Sequence, residues 1–304
     1  MARGYVPLLL LVAGIWGASF MFIKVAVEEI EPIAMIHARL LISALTLAPV
    51  LLVQHGARAA ARDLRAAAYG LVVLGIVNAA LPFTLIAWGE KHIDSGIAAI
   101  ANAPVPIFVV LLALKFKPSE RATGLRLVGI VLGFSGVAVL AGFNPDGGWW
   151  AVAATMAVVA ASLCYAAANL FAQSRFSETN PLVIVVGSSL AGAALLTPLA
   201  IWQAPHDLPS GKAIASLLGL SVLGTAVALV LYYRMLAAHG ASRASLVTYL
   251  VPLTALLYGT LLLDEPLTSN AVAGLVLILG GVSLGSGVLR VSRRGAAVPA
   301  APRP

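Results

Sequence analysis

Residues 106–139 read PIFVVLLALKFKPSERATGLRLVGIVLGFSGVAV, and residues 252–284 read PLTALLYGTLLLDEPLTSNAVAGLVLILGGVSL. Each stretch opens on a proline, runs apolar, breaks at a short charged knot and resumes with spaced glycines. Pro106 falls opposite Pro252, Glu120 opposite Glu265, Gly129 opposite Gly274 and Gly136 opposite Gly281, with an offset constant to within one residue. Upstream, Trp16 falls opposite Tyr165, Lys24 opposite Gln173 and Pro32 opposite Pro181. Each copy therefore holds five apolar segments. Five is odd, so if the segments cross a membrane the second copy sits upside down relative to the first. The charges agree: Glu120 lies among Lys115, Lys117, Arg121 and Arg126, whereas Glu265 follows Asp264.

The composition makes the membrane reading. Of 304 residues 61% are hydrophobic and 10% charged, against about 25% charged in a soluble domain, and the mean hydropathy is +0.99. Such a chain cannot clothe a water-facing surface. The one cysteine, Cys164, cannot form an internal disulfide. A helix needs about 20 apolar residues to cross the hydrocarbon. Ten such windows are expected, at 6–27, 33–53, 66–89, 94–114, 124–143, 150–172, 182–202, 213–237, 242–263 and 270–289. The runs do not alternate, which argues against a porin-like barrel. The expected fold is an all-α polytopic membrane protein: ten transmembrane helices as two inverted five-helix repeats around a central cavity. Residues 1–143 form the first repeat, 144–289 the second, and 290–304 a basic, disordered cytoplasmic tail. Arg3 and the apolar stretch behind it resemble a secretory signal, but the stretch runs on past signal length without a cleavage site.

The net charge of +7 is a topology signal. With the N-terminus inside, Arg3, Arg58, Arg62, Arg65, Arg175, Arg243 and the Arg290–Arg303 group are cytoplasmic, as is the basic knot around Glu120. Glu28, Glu29, Glu31, Glu90, Asp94, Asp146, Asp207, Asp264 and Glu265 are outside, with only Lys24, Lys91 and Lys212 as cations. The positive-inside rule then puts both termini in the cytoplasm. Nucleic acid is not needed to explain the charge.

Trp16-Gly17-Ala18-Ser19-Phe20, Arg39-Leu40-Leu41 and the Pro106…Glu120 and Pro252…Asp264-Glu265 units resemble the drug/metabolite transporter (DMT) superfamily, in particular its ten-helix EamA branch, as two EamA-type units over residues 1–289. Within that branch the chain is similar to YddG-type exporters of aromatic amino acids and related metabolites. The resemblance implies a cavity lined by helices 1, 3, 4, 6, 8 and 9, export by alternating access, and a bacterial-type inner membrane. Distant relatives that carry triose phosphates use cavity Lys and Arg; none is expected at mid-depth here, which disfavours a phosphorylated substrate.

Prolines mark expected hinges. A helical proline removes the bond to the carbonyl four residues back. Pro82 frees Asn78, Pro106 frees Asn102, Pro104 frees Ile100 and Pro252 frees Thr248. Pro82, Pro106 and Pro252 are the hinge candidates. Trp16, Ser19 and Phe20 share one face of the first helix, and Tyr165 and Asn169 one face of the sixth. With Asn78, Asn102, Ser245, Thr248 and Tyr249 these form the expected substrate site. Packing is the competing role for each. Trp88, Trp149, Trp150 and Trp202 read as interfacial anchors, and Gly129, Gly133, Gly281 and Gly285 as close helix contacts.

All twelve carboxylates fall at helix ends or in loops. A proton-coupled carrier often keeps one at mid-span, so facilitated or weakly coupled transport is favoured. Arg39 is expected to snorkel or pair with Glu28 or Glu90, a structural role. No histidine cluster has metal-ligand spacing and no Walker motif is present. The expectation is a secondary exporter of small amphipathic metabolites, plausibly aromatic amino acids, with no enzyme activity, cofactor or metal. The partners are a small-molecule substrate and the lipid bilayer, and a monomer suffices. A drug or nucleobase exporter of the same fold, or a channel-like protein, is the alternative.

Overall fold

A computed structural model describes residues 5–116, 125–142, 148–176, 178–239 and 247–285. Among them the chain is helical throughout, with no strand. The helices are α1 (Tyr5–Ala26), α2 (Pro32–His55), α3 (Ala57–Ala66), α4 (Ala68–Leu74), α5 (Leu81–Glu90), α6 (Ser95–Ala101), α7 (Val105–Phe116), α8 (Leu125–Gly142), α9 (Gly148–Arg175), α10 (Pro181–Trp202), α11 (Gly211–Ser221), α12 (Ala228–His239), α13 (Val247–Leu262) and α14 (Ser269–Gly285). Six helical runs have the length and apolar character to cross a membrane; Ser95–Val109, Leu127–Leu140, Val247–Leu262 and Ser269–Leu284 are shorter apolar helices.

Local chemistry sets the ends. Pro32 and Pro181 open α2 and α10, where a missing N–H costs nothing and φ is already helical. Asn180 accepts the Leu182 amide at 2.9 Å and Ser210 the Ala213 amide at 3.2 Å, each capping the helix that follows. α2 stops at Gly56, whose φ of 78° suits glycine. The short helix α3, with Arg58, Arg62 and Arg65, lies where a plain loop is expected, because its charges fall on one face.

Two spans are not regular. Gly75–Ala80, between α4 and α5, and Val222–Val227, between α11 and α12, are π-helical. In the first, Pro82 follows within two residues; its ring cannot sit under the Asn78 carbonyl of a regular helix, and a widened turn relieves the clash. The second has no proline. Instead the Thr225 hydroxyl donates to the Leu220 carbonyl, five residues back, at 3.1 Å. π-turns of this kind recur at functional sites.

The packing pairs helices from the two halves: α2 with α10, α8 with α14, α1 with α13, and α5 with α9. At the α8–α14 seam the backbones touch. A Cβ on Gly281 would lie 2.6 Å from the Gly129 carbonyl oxygen and as close to the Gly133 backbone, so Gly129, Gly133 and Gly281 make the close contact expected of them. The principal core runs through Ile23, Met35, Ile36, Leu40, Ile100 and Ile278.

Candidate functional site

A cavity of about 50 Å³ is lined by residues of both π segments. Asn78 and Ala79 come from the first segment and Thr225 from the second, with Asn169 from α9 and Ser188 and Ser189 from α10. Leu40, Leu74, Phe83, Ile184 and Leu229 supply apolar wall. Water occupies about 30 Å³ a molecule, and small-molecule sites run to about 300–1,000 Å³. The cavity as it stands holds a water or two, so a metabolite needs the halves to part.

Arg39 lies beside this wall and is 5% exposed. Its Nε donates to the Thr225 hydroxyl at 2.9 Å, and its guanidinium stacks over Phe83 at 3.7 Å from the ring centre. It therefore neither snorkels nor makes an ion pair with Glu28 or Glu90 among the described residues. The reason is Thr225, a neutral acceptor offered from the other half, together with an aromatic face. A cation is consequently present at the core, where none is expected from sequence.

Of the expected site residues, the cavity gathers Asn78 and Asn169. Trp16 packs on Tyr232 of α12, with ring centres 5.2 Å apart. Ser19 is buried and donates to the Ile15 carbonyl at 3.0 Å, within its own helix. Phe20 is in the principal core. Tyr165 meets the edge of Phe83, with centres 6.3 Å apart, one side chain removed from the cavity. The Asn102 carbonyl is free of its helix, as the proline argument requires, but Ser162 takes it: the hydroxyl lies 3.1 Å from the carbonyl and 3.0 Å from the side-chain Oδ1. Ile100, expected to be freed by Pro104, accepts the Ala103 amide. Thr248 and Tyr249 lie in α13, the latter against the principal core. Ser245 lies outside the described residues. Pro82 opens α5, Pro106 lies in the first turn of α7 beside the break at 102–104, and Pro252 is inside α13.

The cavity wall thus draws on α2 and α10, which the resemblance did not include, and not on α1, α6, α7 or α13. Ser162, Ser188, Ser189 and Thr225 were not singled out from sequence. Their signal is a small hydroxyl in mid-run, which also marks ordinary helix packing. No group of three or more His, Cys, Asp or Glu able to hold a metal is found among the described residues.

The acidic ends cluster on one side and are tied together there. Glu29 accepts from the Ser210 amide at 2.6 Å and hydroxyl at 2.5 Å. These bonds hold its carboxyl below the ordinary value. Gln203 accepts the Ile33 amide at 3.1 Å. Glu265 accepts from the Ser95 amide at 2.7 Å, its hydroxyl at 2.8 Å and the Gly96 amide at 3.1 Å. Burial, and then Glu265, push the Asp94 carboxyl up against the opposing pull of Lys24. On the opposite, basic side His55 bonds Asp63 at 2.7 Å.

The EamA-like transporter family model matches the chain twice, over residues 4–142 and 152–286. An uncharacterized transporter of Archaeoglobus fulgidus is 31% identical over 271 residues, covering 88% of this chain and 93% of that protein. A probable amino-acid metabolite efflux pump of Salmonella typhimurium is 29% identical, covering 94% and 96%. One solved structure, 17% identical, superposes with a TM-score of 0.65 over 95% of this chain and 98% of its own. With apolar helices along its length, this chain is an integral membrane protein and belongs to the EamA-like transporter family.

Proposed function

We propose that the protein is a secondary exporter of small amphipathic metabolites, with amino acids bearing apolar or aromatic side chains as the favoured class. Ten transmembrane helices form two inverted five-helix repeats, both termini are cytoplasmic, and the halves rock about the central cavity. The observation that carries this reading is the pair of π segments, one from each half, facing a single cavity lined by amides, hydroxyls and aliphatic wall. Such a lining can take an amino or carboxylate group on Asn78, Asn169, Ser188 or Thr225 and an apolar side chain on Leu40, Leu74 and Phe83. Trp16, Ser19, Phe20, Asn102, Tyr165, Thr248 and Tyr249 belong to the path that opens beside it. The amino-acid efflux name of the Salmonella typhimurium relative supports the same class.

Counterflow in proteoliposomes across amino acids, drugs and nucleobases tests the reading. Saturable exchange of L-phenylalanine or a related amino acid is expected. Exchange confined to drugs or nucleobases would reassign the substrate, and unsaturable flux would mean a channel. Asn78→Ala should weaken apparent affinity about three- to tenfold, the worth of one ordinary hydrogen bond. Trp202→Ala, at an exposed helix end, should leave it unchanged. For topology, single cysteines at Asp146 and Arg62 in a Cys164→Ala background should label from opposite sides of the membrane.

A further inference from the structure

Two carboxyls lie near each other at the acidic end and are treated differently. Glu265 is satisfied by three donors from the start of α6. Glu90, the last residue of α5, is 0% exposed, and neither of its carboxyl oxygens has a hydrogen-bond partner among the described residues. Its obvious partner is otherwise engaged. The Lys24 ammonium donates to the backbone carbonyls of Glu90 at 2.8 Å and Ile93 at 2.9 Å, closing the end of α5. Buried polar side chains nearly always find partners, and a bare buried charge costs several kcal/mol. A structural carboxylate would not be kept in this state.

The charged groups near enough to act on Glu90 are Lys24 from α1, Glu265 after α13 and Arg39 from α2, and Asp94 shares Glu265 and Lys24 as neighbours. From α9 the side chain of Val158 and the Ala154 backbone press on the adjoining Gly89. Lys91 and His92 are occupied elsewhere, the first with Glu31 at 2.8 Å and the second stacked on Trp150.

We infer that Glu90 is a proton-binding site and that the protein exchanges an incoming proton for an outgoing substrate. This rests on the transporter reading above and deepens it by naming the coupling ion. The sealed acidic end accommodates the neutral carboxyl, which needs no charge partner. When that end opens, water reaches Glu90 and the proton arrives from the acidic side. After closure the proton leaves to water on the cavity side, past Arg39, whose Nε is bonded to Thr225 in the cavity wall. The carboxylate left behind lies near Lys24 and Arg39 but accepts a hydrogen bond from neither, since both donate elsewhere, which favours reopening of the acidic end with substrate bound. The absence of a carboxylate at mid-span, which suggested facilitated or weakly coupled transport, is met by a carboxyl at a helix end that is nonetheless buried.

The test uses the full chain in liposomes. Infrared difference spectra between neutral and alkaline buffer, above the range in which exposed carboxyls titrate, should contain the carbonyl stretch of a protonated carboxyl. It should vanish in Glu90→Gln and persist in Glu29→Gln. Its absence from wild type, or its survival in Glu90→Gln, overturns the site whatever the substrate is. Separately, with about one pH unit across the membrane, wild type should build an L-phenylalanine ratio of about tenfold for one-for-one exchange. Glu90→Gln should build almost none while keeping counterflow, which also shows that the variant folds. Equal accumulation by wild type and Glu90→Gln overturns the coupling. Failure of L-phenylalanine counterflow in wild type counts against the proposed substrate class, and the infrared result still decides the proton site.

Discussion

The two ends of the molecule are held shut by different means. At the acidic end, side-chain acceptors on one half meet backbone amides on the other. Glu29 takes Ser210, Gln203 takes Ile33, and Glu265 takes Ser95 and Gly96. At the basic end, the polar contact across the halves among the described residues is Asn180 to His55 at 3.5 Å, beside the His55–Asp63 pair and an apolar cluster that includes Leu47, Leu51, Val183 and Val186. The cavity reaches Ala172, Ile184 and Val185, near the ends of α9 and α10 that lie on the basic side. Among the described residues, three charge-assisted or amide contacts against one long one make the acidic end the more tightly held by polar bonds.

Breaking the tighter end should have the largest effect. Glu265→Ala strips three bonds from the start of α6. Bonds to a charged group contribute about 1.5–3 kcal/mol each, so losing the equivalent of one shifts an opening equilibrium roughly ten- to hundredfold. Ile93→Cys, buried beneath this closure, should then label much faster with a membrane-impermeant maleimide in the Cys164→Ala background. An unchanged labelling rate would mean that Glu265 only trims a helix end and does not hold the halves.

The looser end should respond less. Asn180→Ser keeps a capping oxygen at the start of α10 but cannot reach His55. A single long contact is worth at most about 0.5–1 kcal/mol, a factor of about two to five. Labelling of a cysteine at Val185, in the cavity wall, should rise by no more than that. A change as large as that from Glu265→Ala would erase the asymmetry between the ends.

Much of this architecture was legible in sequence because hydrocarbon imposes a strong rule. Apolar runs long enough to span, separated by Glu31-Pro32, Gly89-Glu90 and Asp264-Glu265, leave little choice but helices. Helix ends such as Ala26, Glu90 and Trp202 fell within a residue of expectation. The π segments were not legible: only one of them carries a proline, and Thr225 reads as any small polar residue. The candidate site suffered for the same reason. Asn78 and Asn169 reach the cavity because one sits on a widened turn and the other opposite it. Ser19 and Asn102 sit on suitable faces but spend their bonds on Ile15 and Ser162. Spacing along a helix gives a face; it does not say which neighbour takes the hydrogen bond. Arg39 and Glu90 were read by depth alone, and depth does not reveal what covers a helix end.

Acid should act on both ends alike and therefore sharpen the comparison least. Glu29 at one end is held below its ordinary value by Ser210, and Asp63 at the other by His55 and then Arg62. For a carboxyl depressed in the folded state, the stabilising contribution is fully present above the unfolded value, about 4. It is lost as pH falls through the lower folded value. Between pH 8 and 5 neither tie should weaken. Below about pH 4 both should, and the difference between the ends should stay small. Spin labels at Glu28→Cys and Asp207→Cys, exposed positions flanking the Glu29–Ser210 tie, would report the separation across the acidic end in liposomes. In a Glu90→Gln background, where that buried carboxyl no longer titrates, a constant distance down to pH 5 with lengthening only in stronger acid is expected. Lengthening already between pH 7 and 5 would show that a group other than Glu29 governs this end near neutrality, and would direct attention to Asp94, whose carboxyl is shifted the opposite way.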